Sequence, residues 1–439
     1  MKKTILSLNG TLLVISRLLL LTCLLSSVAQ GQQSQGYRNQ RLLEYRNQVP
    51  IIDYEQARSD AVADLFTAID AGQVSLNYEG SDGYLSGLLD YFGISTSSQV
   101  LVFSKTALKG RLISPQTPRA IYFNDEVYVA FVPGTPSIEI ASMDPMLGPV
   151  FYEIPLEPDE AISLRLHTSR CLSCHVKNYM SDGGVPLFML QTTLVDKSGD
   201  AFAFIGRGPA TTSATPFEQR WGGWYVTGLS EQAHLGNLSF DSQPSVDELD
   251  LSANSNLNSL GELVDISGYL SPHSDIVALL VMQHQVDVQN EIARVNYRVR
   301  TIASRESEIS ADTLAEETEP LVKAIFMSDE FALTGPVTGL SGYAEHFQSL
   351  GPFASDGSSL RELDLQKRVF KYPLSFQIYT EAFDTLPEQA LAYLRQRITD
   401  VLSGRDQSAA FAHISAADRQ QMLRIVQETK ASLLDQTIL

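Results

Sequence analysis

Five residues near the middle of the chain, Cys171-Leu172-Ser173-Cys174-His175, have types and spacing that state a chemistry. Two thiols two residues apart, followed at once by an imidazole, form the C-x-x-C-H pattern of c-type haem attachment. Each thiol can add to one vinyl group on a haem edge, and the adjoining imidazole can ligate iron from the proximal side. A C-x-x-C pair alone also suits half of a zinc site or a redox dithiol. Zinc needs a second pair of ligands at comparable spacing, and the third of the 3 cysteines, Cys23, falls in a leader-like segment. A thioredoxin-type dithiol opens a helix inside a βαβ unit, whereas residues 176–184 read as a polar loop. A disulfide across a two-residue spacer is strained. The motif therefore predicts one covalent haem c, anchored by Cys171 and Cys174, with His175 as its proximal ligand.

The other face of the iron needs a partner from elsewhere, and His284 and His234 are the candidates. Val277, Val281, His284, Val288, Ile292, Val295 and Val299 recur at spacings of three and four, so His284 interrupts an apolar helical stripe. A buried imidazole needs partners for both nitrogens, which iron and a hydrogen bond would supply, as would two ordinary hydrogen bonds. His234 sits in a turn just after the aromatic segment 221–225, which could wall a haem; otherwise it is an exposed turn histidine. His167 reads as a neighbour of the motif or a surface group, His273 as part of a helix-entry loop, and His346 and His413 as surface residues. Met180 and Met189 follow the motif closely and read as core, while Met282 points away from the His284 stripe. Arg165, Arg170, Arg207 and Arg220 could pair with haem propionates, although arginines of an acidic protein usually make surface ion pairs. Trp221 and Trp224 could shield the ring or simply fill core.

These residues must be positioned by a chain of 439 residues, 44% hydrophobic, with a mean hydropathy of −0.04, which is the profile of a soluble globular protein of two or three domains. Met1-Lys2-Lys3, the mainly apolar stretch 12–25 and Ser27-Val28-Ala29 have the three regions of a secretory signal peptide, with cleavage expected after Ala29. The stretch is short for a spanning helix, so the mature chain is expected to have no stable membrane span. Cys23 lacks the small preceding residue of a lipidation site. The net charge of −19 falls by three more to −22 when Lys2, Lys3 and Arg17 are removed. So acidic a chain is not built for nucleic acid or an anionic membrane surface, and would attract a basic partner. Export and c-type haem agree on a periplasmic location.

Residues 30–98 read as a Gln-rich tether followed by helices over 54–71 and 84–92, stopped by Gly72 and Gly93. Short β-branched and aromatic runs at 99–103, 120–123, 127–132, 138–141 and 150–154 predict an antiparallel meander with a hairpin at Asn124-Asp125. A helix over 159–170 leads into the motif, and strands are expected at 186–196, 201–205 and 221–228. The haem loop is thus expected within a β-rich region, 99–240. A Ser/Asn/Asp-rich stretch, 241–261, opens a mainly helical region, 241–439. There, Ser274 would cap a helix over 275–301, residues 306–318 look exposed or loop-like, and further helices run from 386 to 402 and from 417 to 434. The fold class is α+β.

Several segments carry a resemblance: Trp221-Gly222-Gly223-Trp224-Tyr225-Val226-Thr227-Gly228 with His234-Leu235-Gly236-Asn237, Gln283-His284-Gln285 with Asn296-Tyr297, and Phe370-Lys371-Tyr372-Pro373 with Ala382-Phe383-Asp384-Thr385-Leu386-Pro387. They resemble an uncharacterised family of large exported bacterial proteins with a single C-x-x-C-H, described as monohaem c-type cytochrome-like. The resemblance runs from about residue 99 to the C-terminus and implies a monohaem protein without supplying a reaction. The expected function is electron transfer with a donor or acceptor protein. A haem enzyme, peroxidase-like or an oxidoreductase subunit, is the alternative, as is a redox or gas sensor, and the size of the chain around one haem favours these two.

Overall fold

Alternating side chains in the central strands are apolar on both faces, and a sheet built this way must be covered twice. The computed structural model describes residues 58–156, 162–166, 169–176, 185–202, 210–245, 249–252 and 255–435. Residues 1–57, which include the expected signal peptide and tether, and His167, Met180 and Arg207 lie outside the described residues. Strands β1 (Val100–Val102), β2 (Arg119–Phe123), β3 (Val127–Phe131), β4 (Ser137–Asp144), β5 (Gly148–Pro155), β6 (Arg165–Leu166) and β7 (Trp224–Tyr225) form one sheet in the order β6-β5-β4-β3-β2-β1-β7. Every pairing is antiparallel. The expected meander is present. At the hairpin between β2 and β3, Asn124 Oδ1 accepts from the N–H groups of Glu126 (3.1 Å) and Val127 (2.8 Å), closing the turn.

Along β3, Val127, Val129 and Phe131 face one core while Tyr128 and Ala130 face another. The first core packs under helices α1 (Ala61–Asp70) and α2 (Leu85–Phe92), which Asp60 caps at one end and left-handed Gly93 stops at the other. The second is shared with the C-terminal helices. After the short α3 (Ser169–His175), which lies between β6 and β7 in the chain, these are α4 (Ile276–Ala303), α5 (Ala311–Ile325), α6 (Tyr343–Ser349), the single turn α7 (Glu381–Asp384), α8 (Glu388–Leu402) and α9 (Ala416–Thr429). A small pair, β8 (Leu229–Ser230) with β9 (Val337–Thr338), stands apart from the main sheet. The architecture is α+β, with an antiparallel central sheet and a helical C-terminal half.

Helix α4 lies against the sheet and is fastened to its turns. Gln285 Nε2 donates to Asn124 O and to the Tyr128 hydroxyl (2.7 Å each), and Gln289 Nε2 donates to Asp125 O at 2.7 Å. Near its other end Asn296 Nδ2 donates to Met146 O (2.6 Å) and the Tyr297 hydroxyl to Leu147 O (3.0 Å). Buried amides on α4 thus satisfy carbonyls of the β2–β3 and β4–β5 turns, groups that would be costly to bury alone.

Four local expectations are corrected. The cap of α4 is Asp275, whose Oδ1 accepts from Val277 and Ala278 N–H; Ser274 instead donates to Tyr225 O and accepts from Leu101 N–H, tying the helix start to β1 and β7. The acidic stretch 306–318 is largely helix α5, because Ser310 caps it and Leu321, Val322 and Ile325 give it a buried face. Residues 186–196 run extended with isolated bridges at Gln191 and Val195 rather than as a paired strand. The segment before the motif contributes β6, an edge strand, where helix was expected.

Candidate haem-attachment site

The motif is itself helical. Expected as a loop, it occupies α3, directly after β6 on the edge of the sheet. In a helix, positions i, i+3 and i+4 share a face, so Cys171, Cys174 and His175 project together. This is why the C-x-x-C-H spacing can serve one planar group. Both cysteines are thiols, Cys171 half-buried and packed on the core, Cys174 exposed.

His175 is held in one orientation and one tautomer. Its Nδ1–H donates to the Leu187 carbonyl at 2.6 Å, and Leu187 N–H donates back to the His175 carbonyl at 3.1 Å. The ring packs on Phe151 of β5, centroids 4.3 Å apart. Burial lowers the imidazole pKa to about 4; the Leu187 bond opposes that shift and the Arg119 charge adds to it. At neutral pH the ring is neutral with its proton on Nδ1, which leaves the Nε2 lone pair as its donor to a metal. No partner stands on Nε2 among the described residues.

Leu187 is itself anchored. The next residue, Phe188, donates its N–H to Asn290 Oδ1 (2.8 Å) and accepts from Asn290 Nδ2 (3.0 Å), so α4 grips the extended segment that grips His175. Phe188 packs between Phe151, edge-to-face at 6.3 Å, and Tyr128, tilted at 4.8 Å. Leu187, Phe188 and Asn290 also line a cavity of about 600 Å³ that extends between α4 and α5 to Met327 and Glu330. Its size is that of cofactor and substrate pockets generally. Four of its six carboxylates are turned to other groups: Asp287 to Ser213, Glu291 to Arg294, Glu319 to Arg397 and Glu330 to His284. Burial pushes Asp287 up to about 6, against the Ser213 hydrogen bonds.

His284 and His234 do not join His175. The three rings sit in different neighbourhoods. His284 is buried, donates Nδ1–H to Glu330 Oε1 at 2.5 Å and shares a hydrogen bond between Nε2 and the Ser375 hydroxyl at 2.7 Å, between Phe370 and Phe376. The stripe is interrupted for a polar network linking α4 to the segments after α5 and before α7. His234 is buried against Trp221 and Phe217, not exposed in a turn; its Nδ1 accepts from Gly236 N–H at 3.1 Å, which puts the proton on Nε2. Burial lowers its pKa to about 4. As folded, neither ring presents a lone pair.

Of the arginines, Arg165 is exposed on β6. Arg220 is 2% exposed and committed inward, donating to Thr215 O (2.7 Å), Ser213 O (2.6 Å) and Gln283 Oε1 (3.1 Å). Burial brings it down to about 10. Arg220 shapes the 213–215 loop beside the cavity and is not turned toward the motif. Trp221 and Trp224 are buried core, with Trp224 Nε1 donating to Gln191 O at 2.8 Å.

Sequence reasoning missed Leu187, Phe151, Asn290 and Met327. One signal was available: Gln283, Asp287, Asn290 and Arg294 recur at spacings of four, three and four, a polar stripe on α4, and the last three line the cavity. The donor set fits haem c, with two thiols and a neutral Nδ1-protonated imidazole on one helical face. Among the described residues, no group of three or more His, Cys, Asp and Glu side chains assembles a metal site of its own. Among them too, no helix is long and apolar enough to cross a membrane. Comparison with known families, curated proteins and solved structures gives no match to this chain.

Proposed function

We propose that this chain is an exported, periplasmic monohaem c-type cytochrome that carries single electrons, its haem attached through Cys171 and Cys174 and its iron ligated by His175 Nε2. The observation that supports this best is the His175–Leu187 hydrogen bond, which fixes the ligating tautomer on the helical face that bears both thiols. Bound there, haem c supplies a one-electron Fe(III)/Fe(II) couple. The protein's part is to hold the donors still. The Leu187 carbonyl orients the imidazole and makes it a stronger donor, Phe151 limits its rotation, and burial keeps it unprotonated. The acidic surface implied by a net charge of −19 favours a basic redox partner.

The test is a pyridine haemochrome spectrum of protein matured in the periplasm, with the mature N-terminus read by mass spectrometry. Two-thioether haem c is expected in the wild type, a single-thioether spectrum or no haem in Cys171→Ala and Cys174→Ala, and cleavage after Ala29. A wild type with no covalent haem sinks the reading. A second reading, a haem enzyme of the peroxidase kind, draws on the cavity of about 600 Å³ that Leu187, the hydrogen-bond partner of His175, helps to line. A high-spin ferric resting state that takes up cyanide or peroxide selects it.

A further inference from the structure

The cavity between α4 and α5 joins an excess of carboxylates to an apolar wall. We propose that it binds a protonated aliphatic amine, with the ammonium held between Asp287 and Glu330 and the alkyl chain lying on Phe188, Leu190, Val286, Ala324 and Met327. The assignment does not rest on the haem reading. Its first support is charge. Six carboxylates and two cations, Arg294 and Lys323, line a cavity of about 600 Å³. A concave site of that sign concentrates cations.

The second is unspent hydrogen-bonding capacity. Asp287 Oδ2 accepts both bonds from Ser213, at 2.6 Å each, and Glu330 Oε1 accepts from His284 Nδ1 at 2.5 Å. The other oxygen of each carboxylate, Asp287 Oδ1 and Glu330 Oε2, has no hydrogen-bond partner among the described residues, and neither is sealed from solvent. The two groups lie close enough for the Glu330 charge to help hold the Asp287 pKa up. Arg220 lends its charge to both, but it is not on the lining, and its N–H groups go to Thr215 O, Ser213 O and Gln283 Oε1. The Ser328 hydroxyl, two residues before Glu330, is on the same lining and is buried without a partner. Acceptors left open at one end of a cavity call for a group that only donates, and an ammonium carries three N–H donors and no acceptor.

The third is the apolar wall. A bare metal ion would leave Phe188, Leu190, Val286, Ala324 and Met327 uncovered, and among the described residues no three His, Cys, Asp or Glu side chains gather to ligate one. An alkyl chain ending in an ammonium covers both surfaces, and a few placed polar groups on an apolar lining are the usual anatomy of a small-molecule site.

Pentylamine is the probe and pentanol its uncharged counterpart, each titrated by calorimetry into the mature full-length chain purified from the periplasm. At pH 7 one saturable pentylamine site is expected, at least about tenfold tighter than for pentanol, the scale of one hydrogen bond to a charged group. That comparison needs no variant. Asp287→Asn keeps an acceptor for Ser213 and Glu330→Gln keeps one for His284; each should weaken pentylamine by about tenfold and leave pentanol unchanged. Burial, Glu330, His284 and Arg220 are the influences on Asp287, which takes up its proton near pH 6 while pentylamine stays charged. Wild-type affinity should therefore fall several-fold from pH 7 to pH 5, and Asp287→Asn should lose that dependence. Absence of saturable pentylamine binding, equal binding of pentanol, or pentylamine affinity unchanged in both variants overturns the assignment. Displacement of pentylamine by an equal concentration of Mg²⁺ or Ca²⁺ overturns it in favour of a metal.

Discussion

Asn290→Ala strikes the tether behind the proximal histidine. The side chain makes two hydrogen bonds to one residue, accepting from Phe188 N–H at 2.8 Å and donating to Phe188 O at 3.0 Å, both part-buried. Each is worth about 0.5–1.5 kcal/mol net, so their loss should cost roughly 1–3 kcal/mol. The cost is local, because Phe188 follows the residue whose carbonyl orients His175. At about 1.4 kcal/mol per tenfold, opening of residues 185–190 should rise by roughly 5- to 150-fold. Amide hydrogen exchange resolved by mass spectrometry reads that segment directly, and urea unfolding gives the global loss. Asn290→Asp retains an acceptor for Phe188 N–H but sets a carboxylate oxygen against the Phe188 carbonyl, so it should be at least as destabilising as alanine. Exchange in 185–190 within about twofold of wild type in Asn290→Ala would refute the claim that α4 holds the segment holding His175.

His284→Ala should leave Glu330 and Ser375 without their shared partner and open a cavity, lowering stability by roughly 3 kcal/mol in a urea melt. It should not alter the spin state of the holoprotein, and a low-spin to high-spin change would restore His284 as a ligand. Asp275→Ala should cost about 3 kcal/mol: about 1 for the α4 cap, and a similar amount for each of the Leu340 and Ser341 N–H groups that Oδ2 accepts. Asp287 carries a pH signature. Burial, then the Glu330 charge, holds its folded pKa up at about 6, against the Ser213 bonds and His284, while the unfolded value is near 3.8. The folded state therefore binds the proton more tightly, and stability should fall as pH rises from about 4 to about 6, by at most ~1.4 kcal/mol per pH unit. Asp287→Asn keeps an acceptor for Ser213 and should flatten that slope in urea melts across the range; an unchanged slope would assign it to other groups.

The fold was legible wherever a side-chain period met a local signal. Strands β1 to β5 alternate, the Asn124 turn is a side-chain-closed hairpin, and α2, α8 and α9 have their stops and caps in the chain beside them. Legibility failed where a local preference was outvoted by distant partners. Ser274 is a fair cap in isolation, but Tyr225 O and Leu101 N–H claim its hydroxyl and leave the cap to Asp275. Residues 306–318 look solvated because their charges are on the outer face, while the apolar residues that fasten α5 come mainly later, at Leu321, Val322 and Ile325. The motif looked loop-like because a helix of seven residues has little periodicity to read.

The site divides along a different line. Which residues can bear a haem was plain from three side chains in five positions, but which nitrogen of a histidine carries the proton depends on what that ring meets in the fold. His175 meets a main-chain carbonyl 12 residues on, an acceptor that every residue possesses and no sequence pattern marks. His284 meets Glu330 and Ser375, 46 and 91 residues away, and His234 meets the N–H of Gly236. All three are buried or half-buried imidazoles near aromatic rings, so composition and periodicity rank them alike. Only the hydrogen-bond partner separates a donor lone pair from a spent one. An apolar stripe interrupted by histidine is thus evidence of a buried polar network and says nothing about metal until both nitrogens are accounted for.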